Sequence, residues 1–179
     1  MNGNPGRRKN DEGESNESAL SDLYEEYYDK IARYAYLRIG NKEEAEDIAG
    51  EVFLKALKSL KSYKERGVPM QSWLFRIAHN LVIDYYRRMQ KHRTIPIENM
   101  QIESGVNPAV KAEENAELAQ VQKAMEQLTQ EQKEVLRLRF FSELTSKEAG
   151  QVLNKSHGAV REMQRAAIEK LRNILIIDR

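Results

Sequence analysis

The chain has 179 residues, 40% hydrophobic and 32% charged, a length that suits one domain or two small ones. Leu, Ile, Ala, Glu, Lys and Arg dominate while glycine (9) and proline (4) are scarce, which favours long helices and argues against a β-sandwich or barrel. Cysteine is absent, excluding disulfides and thiolate metal sites; no apolar run approaches the ~18–20 residues of a membrane span, and the polar N-terminal stretch lacks a signal peptide's apolar segment, so a cytoplasmic protein without membrane insertion is expected.

Residues 1–18 are Asn, Gly, Ser, Glu and Arg with almost nothing apolar, the composition of a disordered tail. From Ala19 the pattern turns helical. Leu23, Tyr27, Ile31, Tyr34, Ala35 and Ile39 share one face, and Gly40 is placed to end the helix. Asn41 can cap the next helix, with Glu44 at the capping-box position. That helix runs to about Leu60 with Ala45, Ile48, Ala49, Val52, Phe53, Ala56 and Leu57 inward. A loop around Arg66-Gly67-Val68-Pro69 precedes a third long helix, about Gln71 to Gln90. Its apolar stripe is Leu74, Ile77, Ala78, Leu81, Val82 and Tyr85, while Arg76, Asn80, Asp84 and Arg87 form a polar ridge. Residues 91–108 lack sustained periodicity and contain Pro96 and Pro108, which reads as a flexible linker. Helical segments follow at Ala109–Gln127, Gln130–Phe141 and Ser146–Leu153, with capping boxes at Thr129–Gln132 and Thr145–Glu148. A last helix, capped by Ser156, starts near His157. The expected fold is all-α: two helical domains, 19–90 and 109–179, joined by that linker.

Charge is segregated beneath a net of +1. Residues 21–54 carry nine acidic and four basic side chains; residues 55–93 carry ten basic and two acidic. Residues 94–134 are again acidic and residues 135–179 basic. Two basic blocks point to a polyanion partner, and the acidic blocks face elsewhere, toward a protein. The first basic block interleaves Tyr63, Trp73, Phe75, Tyr85 and Tyr86 with Lys64, Arg66, Arg76, Arg87 and Arg88, the mixture that holds phosphates and stacks bases. At helical spacing an aromatic is more often core than base platform, and core is the expectation for Trp73.

The second basic block carries a helix-turn-helix spacing. Residues 148–153 form a short helix, Asn154-Lys155-Ser156 a tight turn in which Asn tolerates the left-handed conformation, and the next helix opens His157-Gly158-Ala159-Val160-Arg161. Ala149, Leu153, Val160 and Ile168 can pack the pair. Gly158 and Ala159 are small where close approach is expected. His157, Arg161, Glu162, Gln164 and Arg165 stay polar near the helix start, the part of a recognition helix that enters the major groove. The other reading is a solvent-exposed helix in a three-helix domain.

The two halves together resemble an extracytoplasmic-function (ECF) sigma factor of the sigma-70 class, the exchangeable promoter-recognition subunit of bacterial RNA polymerase. Leu23 to Tyr28 is similar to the start of its first conserved region. Ala45 to Phe53 is similar to its core-polymerase-binding helix, Ser72 to Asn80 with Asp84 to Arg88 to its promoter-melting and −10-reading helix, and Leu128 to Phe140 with the helix-turn-helix to its −35-reading domain. Gly50 stands where the family usually has Gln, Asn154 replaces the commoner turn Gly, Ala166 stands where many members carry Arg, and Glu162 brings a carboxylate into the recognition helix.

The resemblance implies region 2 at 19–90 and region 4 at 109–179. It implies −10 contacts from Lys64, Arg66, Arg76, Asn80, Asp84, Arg87 and Arg88, with a flipped base received by the loop at 63–71 and the face of Asn80 and Asp84. It implies −35 contacts from Ser156, His157, Arg161, Glu162, Gln164 and Arg165. Glu46, Asp47 and Glu51 become the polar rim, and Phe53 or Leu54 the apolar anchor, of a surface for the polymerase β′ clamp. The implied partners are core RNA polymerase (β′ clamp and β flap), promoter DNA and an anti-sigma factor. No cofactor or metal is expected, nor an enzyme: the carboxylates at 43–51 lack a Glu-x-x-His partner, and His79, His92 and His157 lie on separate elements. A free-standing helix-turn-helix regulator is the rival reading; it explains the C-terminal half but not the aromatic-basic N-terminal one.

Overall fold

The structure, a computed structural model, describes residues 7–60, 68–92, 120–121 and 123–177. Among them there is no strand. The helices are α1 (Arg7–Ile39), α2 (Lys42–Ser59), α3 (Met70–His92), α4 (Gln130–Leu136), a π-helical turn (Arg137–Phe141), α5 (Ser146–Leu153) and α6 (His157–Ile177). They fall into two compact units, α1–α3 and the helices from residue 120 onward. The linker expected at 91–108 lies outside the described residues from 93 on, as do Tyr63, Lys64 and Arg66.

One boundary differs from the sequence expectation. α1 begins at Arg7, so the stretch expected to be a disordered tail is helical from that residue. Helix propagation is cheap once a packed turn has nucleated, and no proline interrupts the chain between Pro5 and Pro69. At its other end Gly40 turns the chain at φ 73°, and its N–H donates to the Tyr36 carbonyl at 2.9 Å.

In the first unit α2 and α3 both pack on α1 and on each other. α3 turns Phe75, Ala78 and Val82 fully inward, with Leu74 beside them. Phe75 meets Tyr34 edge-on at 5.8 Å and Tyr27 at 6.4 Å, a geometry worth about 0.5–1.5 kcal/mol per pair beyond burial. A polar clip ties the far end of α1 to α3. Arg38 Nη1 donates to the Tyr34 hydroxyl at 3.1 Å, His79 Nδ1 lies 3.0 Å from that hydroxyl, and the Tyr86 hydroxyl donates to the Arg38 carbonyl. Phe75 is core, as its helical spacing suggested; one sequence assignment changes here, since Leu57, expected inward, is 47% exposed.

In the second unit Thr129 and Thr145 form the expected capping boxes with Gln132 and Glu148. A buried ion pair, Arg137 to Glu134 at 3.5 Å, sits at the α4–π junction. Burial and the neighbouring Arg137 push the Lys133 amine below its usual range. The helix-turn-helix closes through Asn154, left-handed at φ 54°, and a bond from Lys155 N–H to the Gly150 carbonyl at 2.8 Å. The close approach is at Gly150, not at Gly158 as the sequence suggested. A Cβ on Gly150 would stand 2.5 Å from the Lys155 carbonyl oxygen, whereas one on Gly158 would meet only the Ser156 hydroxyl at 3.9 Å.

The helical glycines Gly50 and Gly150 therefore separate cleanly. A Cβ at Gly50 meets nothing within 4 Å, so Gly50→Ala should raise unfolding stability by up to about 1 kcal/mol. Gly150→Ala should lower it by about 1–3 kcal/mol through forced displacement of the turn. Urea denaturation of the two variants measures both signs.

Candidate nucleic-acid interface

Helical spacing along α3 gives it two working sides. With Phe75 and Val82 inward, Arg76, Asn80, Asp84, Arg87 and Arg88 are all exposed. Arg87 Nη1 lies 3.3 Å from the Asp84 carboxylate, an exposed pair of small energetic weight. Beside this ridge, between α2 and α3, opens a pocket of about 540 Å³ lined by Lys55, Lys58, Ser59, Trp73, Ile77, Asn80, Leu81 and Asp84. Trp73 is half-buried in its wall, so it is not the core residue expected. Its neighbours Ser72 and Leu74 take the fully inward positions.

The pocket combines an indole, two ammonium groups, a carboxamide and a carboxylate with an apolar floor. That set can stack a planar heterocycle, offer both acceptors and donors to its edge, and hold an attached phosphate. Lys55 and Lys58 come from α2 and were not singled out by the sequence. Their spacing of three near the end of a helix was the available signal, with Lys58 in the last turn, where a cation also favours the helix dipole. Lys55 is shared with Glu51 at 3.3 Å.

The outer side of α2 is a different surface. Glu46 and Asp47 are exposed and Glu51 half-exposed around Gly50, and Leu54 and Leu57 continue it as exposed apolar side chains at 59% and 47%. Phe53 does not belong to this surface. It is buried, with the Tyr24 ring 4.8 Å and the Tyr28 ring 6.3 Å away. Burial, reinforced by Tyr24 and the nearby carboxylates, raises the Tyr28 phenol above its usual range. Of the two expected anchors only Leu54 is presented to solvent.

In the second unit α6 buries Val160 and Ala167 fully and exposes Ser156, His157, Arg161, Glu162 and Arg165 around its first turns. Ser156 caps the helix, accepting from the Ala159 N–H at 3.1 Å. Gln164 is placed differently from the others. Its side-chain oxygen accepts from Arg139 Nε at 2.9 Å, and Arg139 also donates to the Leu144 carbonyl. The amide is thereby engaged in holding α6 to the π-helical turn, with its side chain half-buried. Lys155 pairs with Glu131 at 2.8 Å and fastens the turn to α4.

Two sequence models match these two units: Sigma-70 region 2 over residues 23–92 and Sigma-70 region 4 over residues 124–173. The chain is 31% identical to the ECF RNA polymerase sigma factor SigW of Bacillus subtilis, across 89% of this chain and 90% of that protein. It belongs to the ECF sigma factors of the sigma-70 class. The ECF RNA polymerase sigma factor BldN of Streptomyces coelicolor is also 31% identical, across 88% of this chain, which spans 60% of that protein's length. Among solved structures, the sigma factor RpoE in complex with the anti-sigma factor NepR from Bartonella quintana has the same fold, with a TM-score of 0.69 at 21% identity, covering 90% of this chain and 99% of that one. In sigma-factor terms the pocket and ridge lie in region 2, and α5 and α6 in region 4.

The engagement of Gln164 gives a direct check. Gln164→Ala in this sigma factor should lower unfolding stability by about 1–3 kcal/mol, because it leaves Nε of the half-buried Arg139 without its acceptor while Nη1 keeps only the Leu144 carbonyl. An unchanged thermal melt would contradict the assignment.

Proposed function

We propose that the protein binds bacterial core RNA polymerase in the cytoplasm and directs promoter-specific initiation, with region 2 at 19–90 reading the −10 element and region 4 at 109–179 reading the −35 element across the linker 91–108. The pocket between α2 and α3 carries this reading. It is large enough for an extruded nucleobase, walled by Trp73, edged by Asn80 and Asp84, and flanked by Lys55 and Lys58. Stacking on an aromatic is worth about 1–3 kcal/mol per base, enough to offset local unstacking. Arg76, Arg87 and Arg88, with Lys64 and Arg66 from the segment between α2 and α3, hold the backbone of the separated strand. The task needs no covalent chemistry and no cofactor.

On the opposite duplex element, His157, Arg161, Glu162 and Arg165 supply the groove-facing groups and Ser156 a phosphate contact at the helix start. The side of α2 carrying Glu46, Asp47, Glu51, Leu54 and Leu57 docks on the β′ clamp, and region 4 meets the β flap. A partly apolar patch of this kind gives an anti-sigma factor a competing surface, consistent with the RpoE–NepR complex among its structural likenesses.

Run-off transcription with purified core polymerase and a genomic promoter library tests the reading. Transcripts sharing two upstream motifs support it. Duplex binding by a symmetric dimer without polymerase supports the free-standing regulator instead. Within that assay Arg87→Ala with Arg88→Ala should impair promoter opening while polymerase capture persists; equal loss of both contradicts the division of labour. Leu54→Asp should weaken polymerase capture at least tenfold with stability changed by less than about 0.5 kcal/mol, the usual range for an exposed site. Phe53→Ala should instead lose about 3–5 kcal/mol of stability.

A further inference from the structure

The exposed side of α6 is not simply cationic. Arg165 Nη2 donates to Glu162 Oε1 at 2.5 Å and Arg165 Nε to Glu162 Oε2 at 3.3 Å, a two-bond fork one helical turn long. Arg165 Nη1 also donates to Glu169 at 3.3 Å. The guanidinium is therefore shared between two carboxylates, and the three side chains together carry a net negative charge. The fork holds the Glu162 carboxyl below the usual carboxylate range and raises the Arg165 guanidinium, so both stay ionised at neutral pH. Arg161, one turn earlier, has no carboxylate partner among the described residues.

A carboxylate facing a phosphate backbone is repelled. The groups in the major groove that welcome it are base amino groups, and cytosine N4 is the one that carboxylates take. Directly across the pair, guanine offers O6 and N7, the acceptors that suit an arginine fork. A single C·G pair thus presents, side by side, the two groups that can replace what Glu162 and Arg165 give each other. We propose that the Glu162–Arg165 fork reads one C·G base pair of the upstream element, Glu162 accepting from the cytosine amino group and Arg165 donating to guanine. At that pair the intrahelical bonds are exchanged for base contacts of the same chemistry. An A·T pair offers an amino group but no O6/N7 fork on the base across from it, so both intrahelical bonds cannot be exchanged there, the fork stays closed, and docking is penalised. Glu162 then acts as a filter rather than as a source of affinity. The inference rests on the reading that α6 enters promoter DNA.

The test uses the full chain assembled with core polymerase and a duplex promoter library randomised across the upstream element. Wild type, Glu162→Ala and Glu162→Gln are selected in parallel at one salt concentration. Glu162 is exposed, and circular dichroism confirms that the variants fold. The wild type should enrich C·G at one upstream position. Glu162→Ala should lose that preference by roughly ten- to a hundredfold at that position alone, and Glu162→Gln should admit adenine there, since an amide pairs with adenine N6 and N7. An unchanged profile in Glu162→Ala overturns the proposal. So does a uniform change across all positions, which would mark a purely electrostatic role. A wild type that enriches no upstream element at all would instead bring down the promoter-recognition reading, and this inference with it.

Discussion

Edge-on packing of Phe75 between Tyr27 and Tyr34 fixes the rotation of α3, and most of what region 2 offers its partners follows from that rotation. A helix advances about 100° per residue, so one residue of slip would turn Asn80 and Asp84 away from the pocket and bring core side chains to the surface. The aromatic contact sets the angle from one side. The Arg38–Tyr34–His79 clip and the Tyr86 bond to the Arg38 carbonyl set it at the other end of α1. Three adjacent residues then do three different things. Ser72 is buried, Trp73 stands in the pocket wall, and Leu74 fills the core.

Region 4 adds polar ties to an apolar seat. Ala167, Ile168 and Leu171 of α6 pack with Leu128 and Leu136, and the tight turn at Gly150 and Asn154, the Lys155–Glu131 pair and Arg139 reaching Gln164 hold the helix further. These ties leave the first turns of α6 exposed while Val160 and Ala167 stay buried. The internal fork between Arg165 and Glu162 means that the exposed helix presents a pre-arranged donor–acceptor pair rather than loose charges.

Much of the fold was readable from local chemistry. Asn41, Thr129, Thr145 and Ser156 cap because their side chains satisfy nearby N–H groups, and Gly40 and Asn154 turn left-handed because they tolerate it; all of this is decided within a few residues. The helices from 130 to 153 begin and end as their caps require. What escaped the sequence was decided by distant neighbours. Phe53 and Leu54 are adjacent and both apolar, and only Tyr24 and Tyr28 on α1 select which is buried. Trp73 and Phe75 differ for the same reason. Gln164 looked like a base reader until Arg139, 25 residues earlier, engaged it. Gly158 looked crowded and is open, because the turn crosses over Gly150. The Glu134–Arg137 pair gave no sequence signal of burial, since an i, i+3 pair of opposite charge is ordinary on solvated helices.

The indole at position 73 is the only one in the chain, and it stands in the wall of the pocket proposed to receive a base. All tryptophan emission from the isolated protein therefore originates at a single locus, and region 4 contributes none. The molecule carries its own optical gauge of pocket occupancy, free of any attached dye.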